Sequence, residues 1–156
     1  MRVTHEDVVF QEVPGEVALA FTIAGCPLRC PGCHSSDSWA PDEGWLLSPA
    51  ILTQRIQRYS GLLTAVVFLG GEWHPDPLSD CLQRARSLGL VTCLYTGMED
   101  ISADLKKHLD YLKVGPWRRD LGGLDSPSTN QRFIDLHSGR ILNHMFQGEL
   151  HAQTDA

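Results

Sequence analysis

The sequence lacks the excess of basic residues that a nucleic-acid surface requires. Its 156 residues include 13 Lys and Arg against 19 Asp and Glu, so the formal net charge is −6. Proteins that bind nucleic acid present a basic face to the phosphates. The composition therefore predicts that nucleic acid is not a partner of this chain.

Long hydrophobic runs are also missing. No apolar stretch approaches the ~20 residues that a helix needs to cross a bilayer. The first seven residues are mostly polar and charged, and they lack the apolar region of a signal peptide. We therefore expect no membrane partner and a cytoplasmic location, where thiols stay reduced.

The densest group of cysteines lacks a fourth member. Cys26, Cys30 and Cys33 have the spacing C-x3-C-x2-C and directly follow the apolar run Val17–Ile23. Thiolates are soft ligands that suit iron–sulfur clusters and zinc. A [4Fe–4S] cluster held by three thiolates keeps one iron open to a non-protein ligand, whereas a closed structural zinc site takes four protein ligands.

The spacing leaves three interpretations open. The first is a cluster with an open iron, and the second is a zinc site that adds His34 as the fourth ligand. The third is a set of unliganded thiols or a disulfide. Cys33 and His34 are adjacent, so their geometry around one zinc would be awkward, and three cysteines cannot pair off among themselves. These points favour the cluster.

The order of apolar segments predicts an α/β fold. Residues Val8–Val13 and Glu16–Ile23 are typical of a β-hairpin around Pro14-Gly15. Further strands are predicted at Thr64–Leu69, Leu90–Tyr95, Tyr111–Val114 and Gln131–Leu136, and helices from Ser48-Pro49 to Ser60-Gly61, at Pro77–Leu88 and at Ser102–Asp110. Alternating strands and helices imply right-handed crossovers and a mostly parallel sheet.

The length of the chain fits one compact domain. We expect that domain to span residues 1–146 and a polar tail to occupy residues 147–156. Cys81 and Cys93 fall at apolar positions of a predicted helix and a predicted strand, so both are expected to be core residues and not ligands.

A second candidate site follows the predicted strand Thr64–Leu69. Gly70 and Gly71 would let a ligand approach the backbone closely, and the carboxylate of Glu72 could accept hydrogen bonds from an ammonium group. Alone, this segment is more typical of a plain strand-to-helix turn with an exposed glutamate. Downstream of the three cysteines, the ligand-binding interpretation is favoured.

The cysteine motif and the Gly-Gly-Glu segment together resemble the radical S-adenosylmethionine (SAM) superfamily. Within it, the order of motifs and the small size resemble the activating component of the anaerobic ribonucleotide reductase. The segments that carry this closer resemblance are Gly25-Cys26-x3-Cys30-Pro31-Gly32-Cys33-His34-x4-Trp39, Val114-Gly115-Pro116 and Ser128-Thr129-Asn130-Gln131-Arg132.

This resemblance implies a fold, two cofactors and a set of site residues. A full barrel of eight strand–helix units needs ~250 residues, so the implied fold is a partial, open β/α barrel. Cys26, Cys30 and Cys33 would hold three irons of a [4Fe–4S] cluster, and SAM would chelate the fourth. The residues that the resemblance assigns to cofactor binding are Gly32, Cys33, His34, Gly70, Gly71 and Glu72.

The implied activity is the installation of a glycyl radical on a partner protein. That partner would be the large glycyl-radical subunit of the anaerobic ribonucleotide reductase, and a one-electron donor would supply the cluster. Two rivals stay open. One is a radical SAM enzyme that acts on another glycyl-radical protein or on a small molecule, and the other is a non-catalytic zinc-binding interaction module.

Overall fold

The computed structural model describes residues 1–148, which form one seven-stranded sheet with helices packed against it. The strands are β1 (Arg2–Val9), β2 (Ala18–Ile23), β3 (Trp45–Leu46), β4 (Ala65–Leu69), β5 (Val91–Tyr95), β6 (Tyr111–Val114) and β7 (Arg132–Asp135). The α-helices are α1 (Pro49–Gln57), α2 (Pro75–Ser87) and α3 (Ala103–Lys106), and 3-10 helices occupy Ser36–Trp39 and Asn143–Met145.

The sheet has a parallel centre and antiparallel edges. Its strand order is β3-β1-β2-β4-β5-β6-β7. Strands β2, β4, β5 and β6 are parallel to one another, whereas β1, β3 and β7 pair with their neighbours in the antiparallel sense. The mixed α/β class with its parallel centre is therefore as predicted, and the partial barrel stays an expectation of the family resemblance.

The predicted hairpin exists, but its first strand lies earlier than the predicted Val8–Val13, and only Val8 and Val9 of that range belong to it. β1 runs from Arg2 to Val9 and pairs with β2, while the Pro14-Gly15 turn closes through a 3.0 Å hydrogen bond from the Glu16 amide to the Val13 carbonyl. The strand was not predicted over its full length because many of its residues are polar. His5 and Asp7 lie on its exposed face, so the strand shows little of the hydrophobicity that identifies a buried strand.

The two helices with a serine N-cap, α1 and α3, begin where the sequence predicted. Ser48 accepts a 3.3 Å hydrogen bond from the Ile51 amide, and Pro49 is the first residue of α1. α2 begins at Pro75, two residues before the predicted start. α3 is shorter than the predicted helix Ser102–Asp110, because the chain after Lys106 turns to place Asp110 at the start of β6.

Large apolar side chains fill both faces of the central strands, as a parallel sheet requires. Phe21 and Phe68 stack at 5.7 Å on one face, and Phe133 stacks on Tyr111 at 5.4 Å on the other. The thiols of Cys81 and Cys93 are fully buried among these apolar groups. This placement agrees with the core role expected for both.

Two further expectations from the sequence concern membrane-spanning helices and the polar tail. Within residues 1–148, no helix is long and apolar enough to cross a membrane. Most of the predicted polar tail, residues 147–156, lies outside the described residues, so the boundary at residue 146 stays a prediction.

Candidate functional site

The carboxyl ends of the parallel strands open into one large cavity of about 940 Å³. All three cysteines of the motif line it, together with Glu72 beyond β4. Parallel α/β sheets place ligand sites at this edge, because the loops that follow adjacent strands meet there. The two candidate sites found along the sequence are therefore parts of one site.

The cysteine loop turns tightly because two of its residues adopt left-handed backbone conformations. Arg29 has a φ of 47° and Gly32 a φ of 72°. The amide of Cys33 also donates a 3.1 Å hydrogen bond to the carbonyl of Cys30, which closes a turn between the second and third cysteines. The result is that three half-buried thiols share one short loop and one cavity.

Contacts with other segments hold the start and the middle of this loop. Where it starts, the Gly25 amide donates to the Ser38 carbonyl at 2.7 Å, and the Trp73 indole donates to the Ala24 carbonyl at 3.0 Å. Leu28, in the middle of the first cysteine spacing, packs against Gly97 beyond β5, where a Cβ atom would collide with it. The positions of the cysteines thus depend on three strand ends.

The sulfur atoms of Cys26 and Cys33 receive hydrogen bonds from backbone amides of the same loop. Burial raises the pKa of the Cys26 thiol, while the amides of Leu28 and Arg29, which donate to it, act in the opposite direction. The Ser35 amide donates to the sulfur of Cys33 at 3.4 Å. Amide donors of this kind stabilise thiolates and tune iron–sulfur clusters.

Glu72 is a buried carboxylate with one satisfied and one unsatisfied oxygen. Its Oε1 accepts a 2.5 Å hydrogen bond from the Thr96 hydroxyl, whereas its Oε2 is buried without any partner in the described residues. Burial raises the pKa of Glu72, and both the Thr96 hydrogen bond and the charge of Lys113 partly offset that rise. The free oxygen is an acceptor that a cationic ligand would satisfy.

Lys113 is the second buried charge of the cavity. It lies within β6, is 8% exposed, and donates to the Gly115 carbonyl at 3.0 Å. Burial lowers its pKa to about 8, although Cys30, Cys33 and Glu72 pull the value upward. A buried ammonium beside thiols and a carboxylate provides positive charge for an anionic group in the cavity.

The two glycines before Glu72 make room for side chains of the protein itself. Both have left-handed φ values, 82° for Gly70 and 114° for Gly71. A Cβ on Gly70 would collide with the Trp73 ring, and one on Gly71 would lie 3.2 Å from Ile23. Gly70 lines the cavity and Gly71 is buried behind it. Their contact with a cofactor stays a prediction.

One wall of the cavity is aromatic. The rings of His34 and Trp117 have centroids 4.9 Å apart, and both residues line the cavity. The indole Nε1 of Trp117 is buried without a partner among residues 1–148 and lies 3.7 Å from the position of a Cβ on Gly32. The wall therefore offers flat apolar surface and one unused hydrogen-bond donor.

Asn130 and Gln131, which follow this aromatic wall in sequence, hold the last two strands of the sheet together. Asn130 donates from Nδ2 to the Pro116 carbonyl at 3.0 Å, and Gln131 Nε2 lies 3.5 Å from the same oxygen. Gln131 also lines the cavity. The Asn-Gln pair thus connects the start of β7 to the turn after β6.

Comparison with known proteins decides which kind of site this is. Residues 13–121 match the model of the 4Fe-4S single cluster domain family, which covers most of the chain and includes the cysteine loop. The chain belongs to that family. A further similarity is to the 7-carboxy-7-deazaguanine synthase of Hyperthermus butylicus, 35% identical over 96 residues. That alignment covers 56% of this chain and 40% of the relative's length.

Membership of the 4Fe-4S single cluster domain family settles the cofactors. Together the two comparisons support the radical SAM superfamily, so the cofactors of this chain are a [4Fe–4S] cluster and SAM. The residues present fit both groups. Three thiols, two of them with amide donors, suit the irons. The Glu72 Oε2, which has no partner within residues 1–148, and the buried Lys113 suit a ligand with a cationic and an anionic end.

The alternative of a zinc site finds no support in the geometry. Among residues 1–148, no three His, Cys, Asp or Glu side chains converge closely enough to hold a single metal ion. The ring of His34, the proposed fourth zinc ligand, instead packs on Trp117. A cluster of four irons places its ligands farther apart than a tetrahedral zinc ion does.

Sequence reasoning missed three residues of this cavity. Lys113 could have been identified from the sequence, because a lysine interrupts an otherwise apolar strand. Thr96 and Trp117 could not, because a threonine after a strand and a tryptophan in a loop have many ordinary explanations. His74, which follows Glu72 closely in sequence, lies at the start of α2 and is absent from the cavity lining within residues 1–148.

Proposed function

We propose that this chain is a radical SAM activase that installs a glycyl radical on the large subunit of the anaerobic ribonucleotide reductase. The observation that carries the proposal is the convergence of the three motif cysteines, Glu72 and Lys113 on one cavity at the carboxyl edge of the sheet. The subfamily segments, from Gly25 to Trp39 and from Ser128 to Arg132, favour this activity within the superfamily.

The protein's own contribution is to hold and orient its cofactors. Cys26, Cys30 and Cys33 would bind three irons as thiolates. The Oε2 atom of Glu72 would accept a hydrogen bond from the amino group of SAM, and Lys113 would lie near the anionic groups. Held by these residues, the reduced cluster would supply one electron for cleavage of the S–C5′ bond of SAM, which would yield methionine and a 5′-deoxyadenosyl radical.

The size and rim of the cavity suit a substrate larger than the cofactor. A volume of about 940 Å³ is near the upper end of the range for small-ligand sites, about 300–1,000 Å³. Phe10 and Met145 line it while 68% and 51% exposed, so its entrance is apolar. We propose that this entrance receives a glycine-bearing loop of the partner. The 5′-deoxyadenosyl radical would remove a hydrogen atom from the Cα of that glycine.

A second candidate function rests on the curated relative. The 35% identity to a 7-carboxy-7-deazaguanine synthase favours a radical SAM enzyme that acts on a small molecule. Because the alignment covers 40% of that protein, the substrate it is named for does not transfer directly to this chain. The same cavity and the same cofactor residues would serve either substrate.

One experiment separates these candidates. The anaerobically reconstituted protein is mixed with the large reductase subunit, SAM and a chemical reductant, and the sample is examined by EPR spectroscopy. We expect a glycyl-radical doublet and one 5′-deoxyadenosine for each radical formed. Cys30→Ala is the control without a cluster. SAM cleavage without a doublet would favour the small-molecule enzyme, and colourless protein with stoichiometric zinc would favour the interaction module.

A further inference from the structure

Thr96 is a buried hydroxyl residue at the carboxyl end of β5, directly beside the cavity. Its side chain is 3% exposed and lies between Glu72 and the turn that follows β5. Buried hydroxyls are normally satisfied by hydrogen bonds, and the partners of this one determine what it does. No residue role at this position was predicted from the sequence.

The hydrogen bonds of Thr96 have only one consistent direction. The Met98 amide can only donate, and it donates to Thr96 Oγ1 at 2.9 Å. The hydroxyl has a single proton, and its other neighbour is Glu72 Oε1 at 2.5 Å. When Glu72 is ionised, its carboxylate can only accept, so Thr96 donates to Glu72 and Oε1 accepts that proton.

The backbone around Thr96 is held as firmly as its side chain. Its amide donates to the Lys113 carbonyl at 2.8 Å, and the Gly115 amide donates to the Met98 carbonyl at 2.8 Å. These bonds join the end of β5 to β6 and its turn. The hydroxyl is therefore presented to Glu72 from a rigid frame, so it fixes the orientation of the carboxylate before any ligand arrives.

Fixing Oε1 leaves Oε2 as the oxygen available to a ligand. Glu72 lines the cavity, and its Oε2 is buried and unpartnered within the described residues. A buried acceptor without a donor is unfavourable, and a ligand ammonium would remove that cost. We infer that Thr96 is a positioning residue, which holds Glu72 so that Oε2 accepts a hydrogen bond from the amino group of SAM.

This inference rests on the proposed use of SAM by this site but not on the identity of the substrate. The competing explanation is structural, in which Thr96 only satisfies the Met98 amide and stabilises the turn. The two explanations differ in their dependence on Glu72. A positioning role disappears once Glu72 can no longer bind the ligand as a carboxylate, whereas a structural role persists.

The test measures the dissociation constant of SAM by equilibrium dialysis on anaerobically reconstituted protein, with iron content and melting temperature recorded for every variant. Thr96→Val should weaken SAM binding about tenfold, equivalent to about 1.4 kcal/mol. Thr96→Ser should restore the affinity to within about threefold of wild type, because serine retains the donating hydroxyl. In a Glu72→Gln background, Thr96→Val should add less than about twofold.

Thr92→Val is the matched control. Thr92 is a buried threonine within β5, whereas Thr96 directly follows that strand, and the Thr92 hydroxyl donates to the His108 carbonyl at the opposite edge of the sheet. This variant should lower the melting temperature and leave the SAM affinity unchanged. If Thr96→Val loads no cluster, Thr96→Ala replaces it in the same comparison with Thr96→Ser.

The inference is overturned if Thr96→Val binds SAM as wild type does, or if its effect is undiminished in the Glu72→Gln background. Equal losses of SAM affinity in Thr92→Val and Thr96→Val would also overturn it. None of these measurements uses the reductase. A missing glycyl radical with the coupling to Glu72 intact would contradict the proposed activase and leave the role of Thr96 standing.

Discussion

Two half-buried acidic residues lie at opposite edges of the same sheet, and their carboxylates differ in how completely they are satisfied. Asp110, at the amino end of β6, accepts from the Thr92 amide at 2.9 Å and from His137 at 2.7 Å, and an arginine lies 3.5 Å away. Glu72, beyond the carboxyl end of β4, has a partner for Oε1, whereas its Oε2 has none in the part of the chain that the structure describes. Asp110 is typical of a group that stabilises the fold, and Glu72 is typical of a group that binds a ligand.

The pKa values of the two groups move in opposite directions because Asp110 has more partners than Glu72 to offset the effect of burial. Burial alone would raise the pKa of Asp110, but the Thr92 amide, His137 and Arg86 together hold it below its ordinary value of 3.8. Burial also raises the pKa of Glu72, and its fewer partners fail to cancel that rise from 4.5. The ionised form therefore stabilises the fold at Asp110 and costs stability at Glu72.

The largest expected effect is the difference between a cysteine of the motif and a cysteine of the core. Cys30→Ala should abolish iron binding, because it removes one of three ligands at the carboxyl edge of the sheet. Cys81→Ala should retain full iron content and cost about 1 kcal/mol of stability, because that thiol is packed in the core. Iron analysis and denaturant unfolding measure both. Equal iron loss in the two variants would contradict the assignment.

Glu72→Gln should have opposite effects on binding and on stability. SAM affinity should fall roughly 10- to 100-fold, since a hydrogen bond to a charged group is lost. The cluster-free protein should melt at a higher temperature at pH 7, because a buried charge with an empty oxygen is gone. Equilibrium dialysis and thermal unfolding monitored by circular dichroism test the pair. A lower melting temperature would show that Glu72 stabilises the fold as Asp110 does.

Asp110→Ala should be the reverse case. It leaves the fully buried Thr92 amide without its acceptor, so the free energy of unfolding should fall by about 2 kcal/mol. The SAM affinity of the folded, reconstituted protein should not change, because the residue lies at the far edge of the sheet. Urea denaturation gives the first quantity and dialysis the second. A loss of SAM affinity larger than about threefold would break the comparison.

The smallest expected effects are in the pH dependence of stability. The contribution of Asp110 is present above the ordinary aspartate pKa of 3.8 and is lost as the pH falls through the lower folded pKa. For Glu72, the folded pKa is the higher one, so stability is lost as the pH rises from 4.5 through that value. The gain from Glu72→Gln should therefore vanish in acid, below about pH 4. A gain that stays constant from pH 4 to pH 7 would rule out ionisation of Glu72 as its source.

The sequence predicted the parallel centre of the sheet well because its strands are hydrophobic on both faces. β6 was predicted with its observed bounds, and β4 and β5 were predicted to within one residue. β1 was placed too late because a strand with charged residues on its exposed face lacks that signal. A strand could therefore be predicted from the sequence only where its own residues show a clear hydrophobic pattern.

Prediction of the site shows the same limit. The spacing of the three cysteines and Glu72 was visible, since each forms part of a short motif. Thr96 and Lys113 contribute only because β4, β5 and β6 are adjacent in the sheet, and that adjacency is a property of the tertiary structure. The glycines before Glu72 were recognised as special, but their packing against Trp73 and Ile23 was not.

The central claim is that one iron of the cluster is left for SAM by the three-cysteine loop. The most direct measurement is the EPR spectrum of the reduced, anaerobically reconstituted protein before and after the addition of SAM labelled with ¹⁵N in its amino group. Our account predicts that SAM changes the spectrum and that ¹⁵N couples magnetically to the cluster. An unchanged spectrum at saturating SAM, with a full complement of iron, would contradict it.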